Sequence, residues 1–209
     1  MRAMRRGDFA AAWAISDAVL AARDPAGRDD PALPYHLRWV WDGRPLAGRE
    51  VLVRCYHGLG DTIQFARFLP KVRQLARALI VEAQPELLPL LGGIAGPDRL
   101  VPFRPDAPHP PAGCDLEIME LPHALRVTPD ALDGAMPYVR LDPARVAAVR
   151  ARIGGFGLNI GLCWAAGDWD SERAIPLRLL AAHLRLPGIR MVSLQRGPAA
   201  IEAGAPWAP

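Results

Sequence analysis

The chain has 209 residues, of which 51% are hydrophobic and 22% charged, and its formal net charge at pH 7 is +3. This length allows one good-sized hydrophobic core, or one domain and part of another, and the composition excludes a disordered chain. Of the 25 basic residues only Lys71 is a lysine, and no basic run is interleaved with aromatic residues, so we expect no binding to nucleic acid.

The chain also lacks the sequence signals of a membrane or secreted protein. No apolar stretch approaches the ~20 residues that a membrane-spanning helix needs. The basic start at residues 1–6 runs into polar residues rather than into the apolar segment of a signal peptide. We therefore expect no transmembrane segment and a cytoplasmic location. The three cysteines are far apart and have no metal-site spacing, and those in predicted strands are expected to be small buried hydrophobic residues.

The N-terminal residues 1–23 form the first predicted element, a helical segment. Asp8 is a suitable N-cap for a helix that begins at Phe9 and carries apolar residues at helical spacing. Residues 24–38 are rich in aspartate, proline and glycine and predict a linker. We expect two tryptophans just beyond it to anchor the end of the linker on the following domain.

A strand, a glycine turn and a helix follow one another between residues 51 and 76. Residues 51–55 are apolar and partly β-branched, which predicts a buried strand. Gly58 and Gly60 lie in a tight turn, where glycine permits positive φ and close approach to a ligand. Asp61 falls at or near the helix N-cap. The helix is indicated by apolar residues at three- and four-residue spacing: Ile63, Ala66, Phe68, Leu69, Val72, Leu75 and Ala76.

The region 39–141 repeats this alternation and predicts the first complete domain. Apolar runs predict strands at residues 78–83, 99–103 and 114–119, with a short helix at 85–91 and an irregular, proline-rich loop at 104–113. Alternating strands and helices favour an α/β domain with a parallel sheet and helices on both of its faces. Ligands of such sheets gather at the turns that follow the strands.

A second α/β unit begins near the C-terminal end. Residues 142–157 predict a connection between domains, made of a helix that Asp142 caps and a glycine-containing break. Over residues 158–209 the pattern predicts a strand at 158–164, a helix at 177–186 and a strand at 189–194. The expectation is that this second domain starts but stops well short of a usual domain length.

Seven collinear motifs carry a family resemblance. The longest, residues 58–70, is Gly-Leu-Gly-Asp-Thr-Ile-Gln-Phe-Ala-Arg-Phe-Leu-Pro; the others lie at residues 41–48, 81–85, 121–125, 161–164, 174–177 and 192–195. Together they resemble the glycosyltransferase-like domain that follows tetratricopeptide repeats in many bacterial proteins. That domain is similar to the lipopolysaccharide heptosyltransferases of glycosyltransferase family 9. Residues 1–23 likewise resemble the last helix of a tetratricopeptide array.

The resemblance implies a fold and a reaction. The fold is the N-terminal, acceptor-side half of a GT-B architecture, a Rossmann-like parallel sheet with helices on both faces, plus the start of a second Rossmann-like, donor-side domain. The reaction is transfer of a sugar from a nucleotide-activated donor to an unknown acceptor, which is a glycan, a lipid or a protein. It is implied to be inverting and metal-independent, with no cofactor.

Glycosyl transfer requires a base for the acceptor hydroxyl and stabilisation of the departing nucleoside diphosphate. The resemblance implies that Asp61 is the base; the alternative is that Asp61 only caps its helix. Residues expected to bind the substrate are His57, Gly58, Gly60, Gln64 and His123. The alternative for His57 is a role as a structural hydrogen-bonding residue.

On the donor side, Arg173 matches the basic residue that precedes the Ile-Pro-Leu segment in the family. A guanidinium can bind two phosphate oxygens at once, so Arg173 is expected to hold the donor diphosphate. Gln195 is a further expected nucleotide contact. The alternative for Arg173 is an ordinary surface ion pair with one of its acidic neighbours: Asp168, Asp170 and Glu172.

Other enzyme classes are poorly supported. The chain contains no Gly-x-Gly-x-x-Gly after the first strand, no P-loop and no Gly-x-Ser-x-Gly elbow. The second hypothesis is a non-catalytic, truncated remnant that acts as a binding or scaffold module. An incomplete second domain would expose the edge of a strand, so we also expect self-association.

Overall fold

The computed structural model describes residues 2–132, 137–154, 157–166, 171–181, 183 and 187–204. The chain divides into two compact units, an N-terminal unit of residues 1–141 and a C-terminal unit of residues 142–209. Among the described residues, no helix is long and apolar enough to cross a bilayer.

The N-terminal unit begins with α1 (Arg2–Arg5) and α2 (Phe9–Ala21). The side chain of Asp8 accepts a hydrogen bond from the backbone N–H of Ala11 at 3.0 Å, which caps α2 as the sequence predicts. Trp13 of α2 is buried and belongs to the main hydrophobic core. The first helical segment therefore packs against the sheet domain that follows it.

A four-stranded parallel sheet forms the centre of this unit. Its strands are β1 (Glu50–Arg54), β2 (Ala78–Ala83), β3 (Arg99–Pro102) and β4 (Cys114–Glu117). The spatial order is β3-β2-β1-β4, and each neighbouring pair is parallel. Helices α3 (Leu59–Phe65) and α4 (Leu69–Leu75) connect β1 to β2, α5 (Leu88–Leu91) precedes β3, and α6 (Leu121–Ala124) follows β4. The predicted α/β class with a parallel, Rossmann-like sheet is confirmed.

Proline divides the helix that the apolar stripe predicts after the glycine turn. α3 ends at Phe65, a 3₁₀ turn covers Ala66–Phe68, and α4 carries Pro70 in its first turn. Proline has no N–H to donate to the carbonyl of Ala66, so a continuous α-helical ladder is interrupted there. The same cause separates the 3₁₀ turn Pro85–Leu87 from α5, which carries a proline in its own first turn.

The first face of the sheet is apolar. Val51 and Val53 point to the same side because side chains alternate along a strand, and their register partners on β2 are Leu79 and Val81. Helix residues Leu69, Val72 and Leu91 belong to the same buried cluster. This face therefore packs against α4 and α5 and forms the core.

The second face is partly polar and is covered by irregular segments. Arg54 and Glu82 lie in register on this face, in the row next to Leu52. The Tyr35 ring packs against Tyr56 and Phe103 with centroid distances of 4.7 and 4.8 Å. The segment predicted as a linker thus packs against the sheet domain through an aromatic cluster.

The C-terminal unit contains α7 (Pro143–Ile153), β5 (Leu158–Leu162), α8 (Leu177–Ala181) and β6 (Ile189–Ser193). Asp142 caps α7 by accepting a hydrogen bond from Ala144 N at 2.9 Å. Gly154 ends the helix with φ of 72°, a conformation that favours glycine. β5 and β6 pair in parallel, so this unit contains one β-α-β arrangement, as the sequence predicts.

Candidate functional site

The order of the strands identifies a candidate ligand site in the N-terminal unit. From β1 the chain proceeds outward to β2 and then β3, and afterwards returns to place β4 on the other side of β1. The direction of the connections therefore reverses between β1 and β4. Open α/β sheets bind ligands at such a switch point, beyond the carboxyl ends of the strands. We call the residues found there, His57, Gly58, Gly60, Asp61 and Glu117, the switch-point site.

The glycine turn leads directly into α3. Gly58 is the N-cap with φ of −66°, and Oδ2 of Asp61 accepts a hydrogen bond from its N–H at 3.2 Å. Asp61 therefore closes the first turn of α3, which is the structural alternative that the sequence left open. Neither Gly58 nor Gly60 has positive φ, in contrast to the sequence-based argument. A Cβ on Gly60 would meet no atom within 4 Å, so this glycine leaves open space.

His57 is paired with a carboxylate that the sequence analysis did not identify. Its Nδ1 lies 3.0 Å from Oε1 of Glu117, at the end of β4. The Nδ1–H bond does not point along this line, so the contact is a close electrostatic one rather than an aligned hydrogen bond. The Glu117 contact is the largest influence on His57 and raises its pKa above the ordinary value; burial opposes it, and Asp61 and Glu120 add to it.

Glu117 is held rigidly. Its side chain is 2% exposed. Oε1 also accepts a hydrogen bond from Tyr56 N at 3.3 Å, and Oε2 accepts one from Met119 N at 2.6 Å. The second contact caps the 3₁₀ turn Ile118–Glu120, and this explains why the strand predicted to reach residue 119 ends at Glu117. A carboxylate fixed in this way is a preorganised partner for an imidazole.

The loop that carries His57 is also tied to β2. Gln84 donates from Nε2 to the carbonyl of His57 at 2.7 Å, and its Oε1 accepts from the hydroxyl of Thr62 at 3.1 Å. Thr62 is fully buried on α3. These two bonds connect the end of β2, the turn and the helix, so three elements fix the position of the histidine.

Glu120 stabilises the backbone at the end of β4 and connects it to Trp41. Its Oε2 accepts hydrogen bonds from the backbone N–H groups of Trp41 and Glu117, both at 2.9 Å, and Oε1 lies 3.4 Å from Arg23. Burial raises the pKa of Glu120 above its ordinary value.

A buried ionic cluster lies on the second face of the sheet. Arg54 donates to Glu82 at 2.9 Å, to Oδ2 of Asp115 at 2.7 and 3.3 Å, and to the carbonyl of His109 at 3.1 Å. Glu82 in turn accepts from the N–H of His109 at 2.6 Å. The sequence analysis missed this cluster; its signal was the charged residues Arg54, Glu82 and Asp115 within three strands that are otherwise largely buried.

The structure gives His123 a packing role. Its ring stacks on Trp13 at 5.8 Å and meets Trp41 edge-on at 5.1 Å, and its Nε2 lies 2.9 Å from Asp17. Asp17 also pairs with Arg126 at 2.7 Å, and these two contacts lower its pKa. Within the part of the chain that the structure describes, the contacts of His123 join α6 to α2 and to Trp41, and none joins it to the switch-point site. Gln64, also expected to bind substrate, is exposed on α3.

The candidate donor residues lie in the C-terminal unit. Oε1 of Gln195 accepts from the backbone N–H groups of Trp164 and Ala165 at 3.0 and 2.9 Å, and Nε2 donates to Arg196 O at 2.9 Å. Gln195 therefore links the end of β6 to the loop after β5. Arg173 is exposed at the end of the 3₁₀ turn Ser171–Arg173. Asp168 and Asp170, the acidic neighbours of Arg173 that together form an Asp-x-Asp sequence, lie outside the described residues.

The comparisons with known proteins give one distant similarity. No family model matches the chain, and no solved structure matches it. Protein FlbA of Caulobacter vibrioides is 26% identical to it over 185 aligned residues, which cover 75% of this chain and 30% of FlbA. The chain thus spans about a third of the length of that relative, whose name specifies no activity.

Proposed function

We propose that this chain belongs to a glycosyltransferase related to the heptosyltransferases, which transfers a sugar from a nucleotide-activated donor to a hydroxyl of a glycan, lipid or protein. The observation that carries this proposal is the position of His57 and Asp61. Two side chains able to accept a proton lie at the switch point of a parallel sheet, where the charge of Asp61 acts on His57 and Gly60 leaves open space.

The chemistry of the switch-point site suits the acceptor half of this reaction. An attacking hydroxyl must lose its proton as the new bond forms, and a side chain within hydrogen-bond reach must accept that proton. The carbonyl of His57 and the N–H of Gly58 are both engaged by protein groups, so the backbone geometry of the turn is set before a ligand arrives.

The donor half of the proposal rests on Arg173 and on the loop that Gln195 holds. Arg173 is an exposed residue, and the chemistry of a guanidinium is suited to a diphosphate. The amide of Gln195 is already committed to the backbone of Ala165, so we propose that it shapes the nucleotide-binding loop rather than binding the nucleotide through its side chain.

One observation favours the alternative, a non-catalytic binding or scaffold module. The carboxylate of Asp61 closes the first turn of α3, so the residue to which the resemblance assigns proton removal also has a sufficient structural reason to be present. A module that kept the fold without turnover would retain this contact.

Titration calorimetry of the folded protein with nucleoside diphosphates and nucleotide sugars tests the proposal. We expect binding in the micromolar range that is lost in Arg173→Ala and retained in Arg178→Ala, an exposed arginine on α8. Binding without release of nucleoside diphosphate under any condition supports the module. No heat with any donor from a folded sample refutes the transferase.

Metal independence is a separate part of the proposal. We expect release of nucleoside diphosphate to be unchanged by EDTA. Loss of activity with EDTA and recovery with a divalent cation would contradict it and would direct attention to the Asp-x-Asp sequence of Asp168 and Asp170.

We also propose self-association through the C-terminal unit. Leu158 and Leu194, at opposite ends of the β5–β6 region, are 59% and 61% exposed, and a two-stranded sheet with apolar residues in water is a weak structure by itself. Light scattering should give a mass that rises with concentration. A constant monomeric mass at high concentration contradicts this.

A further inference from the structure

We propose that His57 removes the proton from the acceptor hydroxyl through its Nε2, that Glu117 positions the imidazole, and that Asp61 serves to close the turn. This assignment rests on the proposed glycosyl transfer and differs from the role that the resemblance gives to Asp61. It adds Glu117 as a positioning residue that no sequence motif indicates.

The geometry of the imidazole distinguishes its two nitrogens. Nδ1 is buried against the carboxylate of Glu117 at 3.0 Å, whereas the side chain as a whole remains 25% exposed. The nitrogen that can reach a ligand is therefore Nε2. A carboxylate close to one nitrogen favours this orientation of the ring electrostatically and stabilises the imidazolium that forms when the other nitrogen accepts a proton.

The surroundings of Glu117 make it a fixed partner. Its two oxygens accept the N–H groups of Tyr56 and Met119, and it is almost wholly inaccessible to solvent. Glu117 lies at the carboxyl end of β4, which pairs directly with β1, and its register partner on β1 is Arg54. The contact between His57, which follows β1, and Glu117 therefore joins the two strands between which the connections reverse.

Asp61 has a different environment. Its Oδ2 accepts the N–H of Gly58 at 3.2 Å, so this carboxylate has a capping role that does not depend on proton transfer. An asparagine in its place would keep an oxygen acceptor for the same N–H. The charge of Asp61 contributes to the field at His57, but a smaller part than Glu117 does.

The O–H bond of the acceptor breaks, and its electron pair forms the new bond to the anomeric carbon of the donor sugar. The bond from that carbon to the nucleoside diphosphate breaks, and the diphosphate leaves with the electron pair. The proton moves to Nε2 of His57, and the imidazolium then releases it to solvent.

Three carboxylates act on the imidazole, Glu117 by direct contact and the other two by their charge, and they set the pH dependence. Glu117 and Glu120 approach from the segment at the end of β4 and Asp61 from α3, and all three raise the pKa of His57. On the β2 side the neighbour is the neutral Gln84, which holds the backbone carbonyl. Activity should therefore rise with pH along a limb centred above the ordinary value for histidine, about 6.5.

The experiment compares variants in the release of nucleoside diphosphate from UDP-glucose, GDP-mannose and ADP-glucose, with water or methyl glucoside as acceptor. His57→Gln should lower kcat by about 10²- to 10⁴-fold, the usual contribution of a positioned base. Asp61→Asn should retain activity within about tenfold, a smaller loss than removal of a base gives. His36→Gln, an exposed histidine on the 3₁₀ turn Tyr35–Leu37, is the matched control and should behave like the wild type.

Glu117→Gln tests whether Glu117 acts on His57 or only supports the fold, because a purely structural residue would not change the pH profile. Removal of the negative charge lowers the pKa of His57, so the acidic limb of the pH profile should shift to lower pH while kcat falls. NMR titration of the His57 ring in the wild type and in this variant measures the same shift without turnover. If this variant fails to fold, the wild-type titration and the wild-type pH profile carry the test.

The outcomes separate the two proposals. Turnover that survives His57→Gln and is lost in Asp61→Asn overturns the assignment of His57 and leaves glycosyl transfer standing. A His57 pKa at or below the ordinary value in the wild type overturns the pairing with Glu117. Absence of both donor binding and turnover in the wild type overturns glycosyl transfer, and the base assignment with it.

Discussion

Substitution of Arg54 by methionine should destabilise the N-terminal unit strongly. Arg54 is 2% exposed and is the cation shared by two carboxylates, Glu82 and Asp115, which are 0% and 2% exposed. Methionine fills most of the volume but leaves two buried negative charges without a counter-ion and the carbonyl of His109 without its donor. Loss of one member of a buried ionic cluster costs about 3–5 kcal/mol, and this is the expected loss of unfolding free energy.

A series of variants identifies the origin of this loss of unfolding free energy. Adding Glu82→Gln and Asp115→Asn to Arg54→Met removes the uncompensated charges but keeps oxygen acceptors for the N–H groups of His109 and Ala112. We expect the triple variant to regain stability and to remain about 1–3 kcal/mol below the wild type, the cost of an unsatisfied buried carbonyl.

Urea unfolding followed by circular dichroism and tryptophan fluorescence measures these differences. The control is Arg49→Met, because Arg49 is exposed and its side chain donates a hydrogen bond to the carbonyl of Pro45 at the surface. Its expected effect is within about 0.5 kcal/mol. A loss below about 1 kcal/mol for Arg54→Met, or a triple variant less stable than the single one, would refute the reasoning.

Three further predictions concern other parts of the N-terminal unit. Because the pKa of His57 is raised in the folded state, its contribution to stability is present below about pH 6.5 and is lost as pH rises through the folded pKa. The difference in urea midpoint between wild type and His57→Gln should therefore be larger at acid than at alkaline pH, and Glu117→Gln should reduce that dependence because Glu117 is the largest of its causes. Gly60→Ala should raise stability by up to about 1 kcal/mol, since helices favour alanine and the space is open, while it weakens ligand binding in calorimetry. Trp13→Ala should cost about 3–5 kcal/mol in urea unfolding because Trp13 is a core residue, whereas Ile15→Ala on the exposed side of the same helix should cost far less.

Local patterns in the sequence predicted the elements of the sheet well. The strand at residues 78–83 has the predicted bounds, and β1 differs by one residue at each end. Short-range chemistry explains this accuracy: β-branched apolar runs, capping aspartates and glycine turns act over a few residues. One local error, the continuous helix through Pro70, came from weighing the apolar stripe above the missing N–H of proline.

Local sequence patterns could not predict which residues contact the candidate site residues. His57 was predicted as a binding residue, but Glu117 lies on a strand that pairs with β1 only after the chain has passed through β2 and β3. His123 was expected at the substrate because it follows a strand. In the structure its ring instead stacks on Trp13, which lies on a helix far away in the sequence. The identity of a neighbour across 60 or more positions depends on strand order and on which surfaces meet, and neither is encoded in local spacing.

The sequence alone therefore determined the parallel α/β class, through the alternation of strands and helices along the chain. It also determined the strand–turn–helix around Gly58 and the capping of α2 and α7, because these depend on interactions within one turn or one strand. Only the tertiary structure decided that the connections reverse between β1 and β4, that a buried Glu117 faces His57 there, and that Arg54 is neutralised by carboxylates on both neighbouring strands. These features follow from the pairing of distant strands, which is selected by the burial of the whole apolar face and not by any single segment.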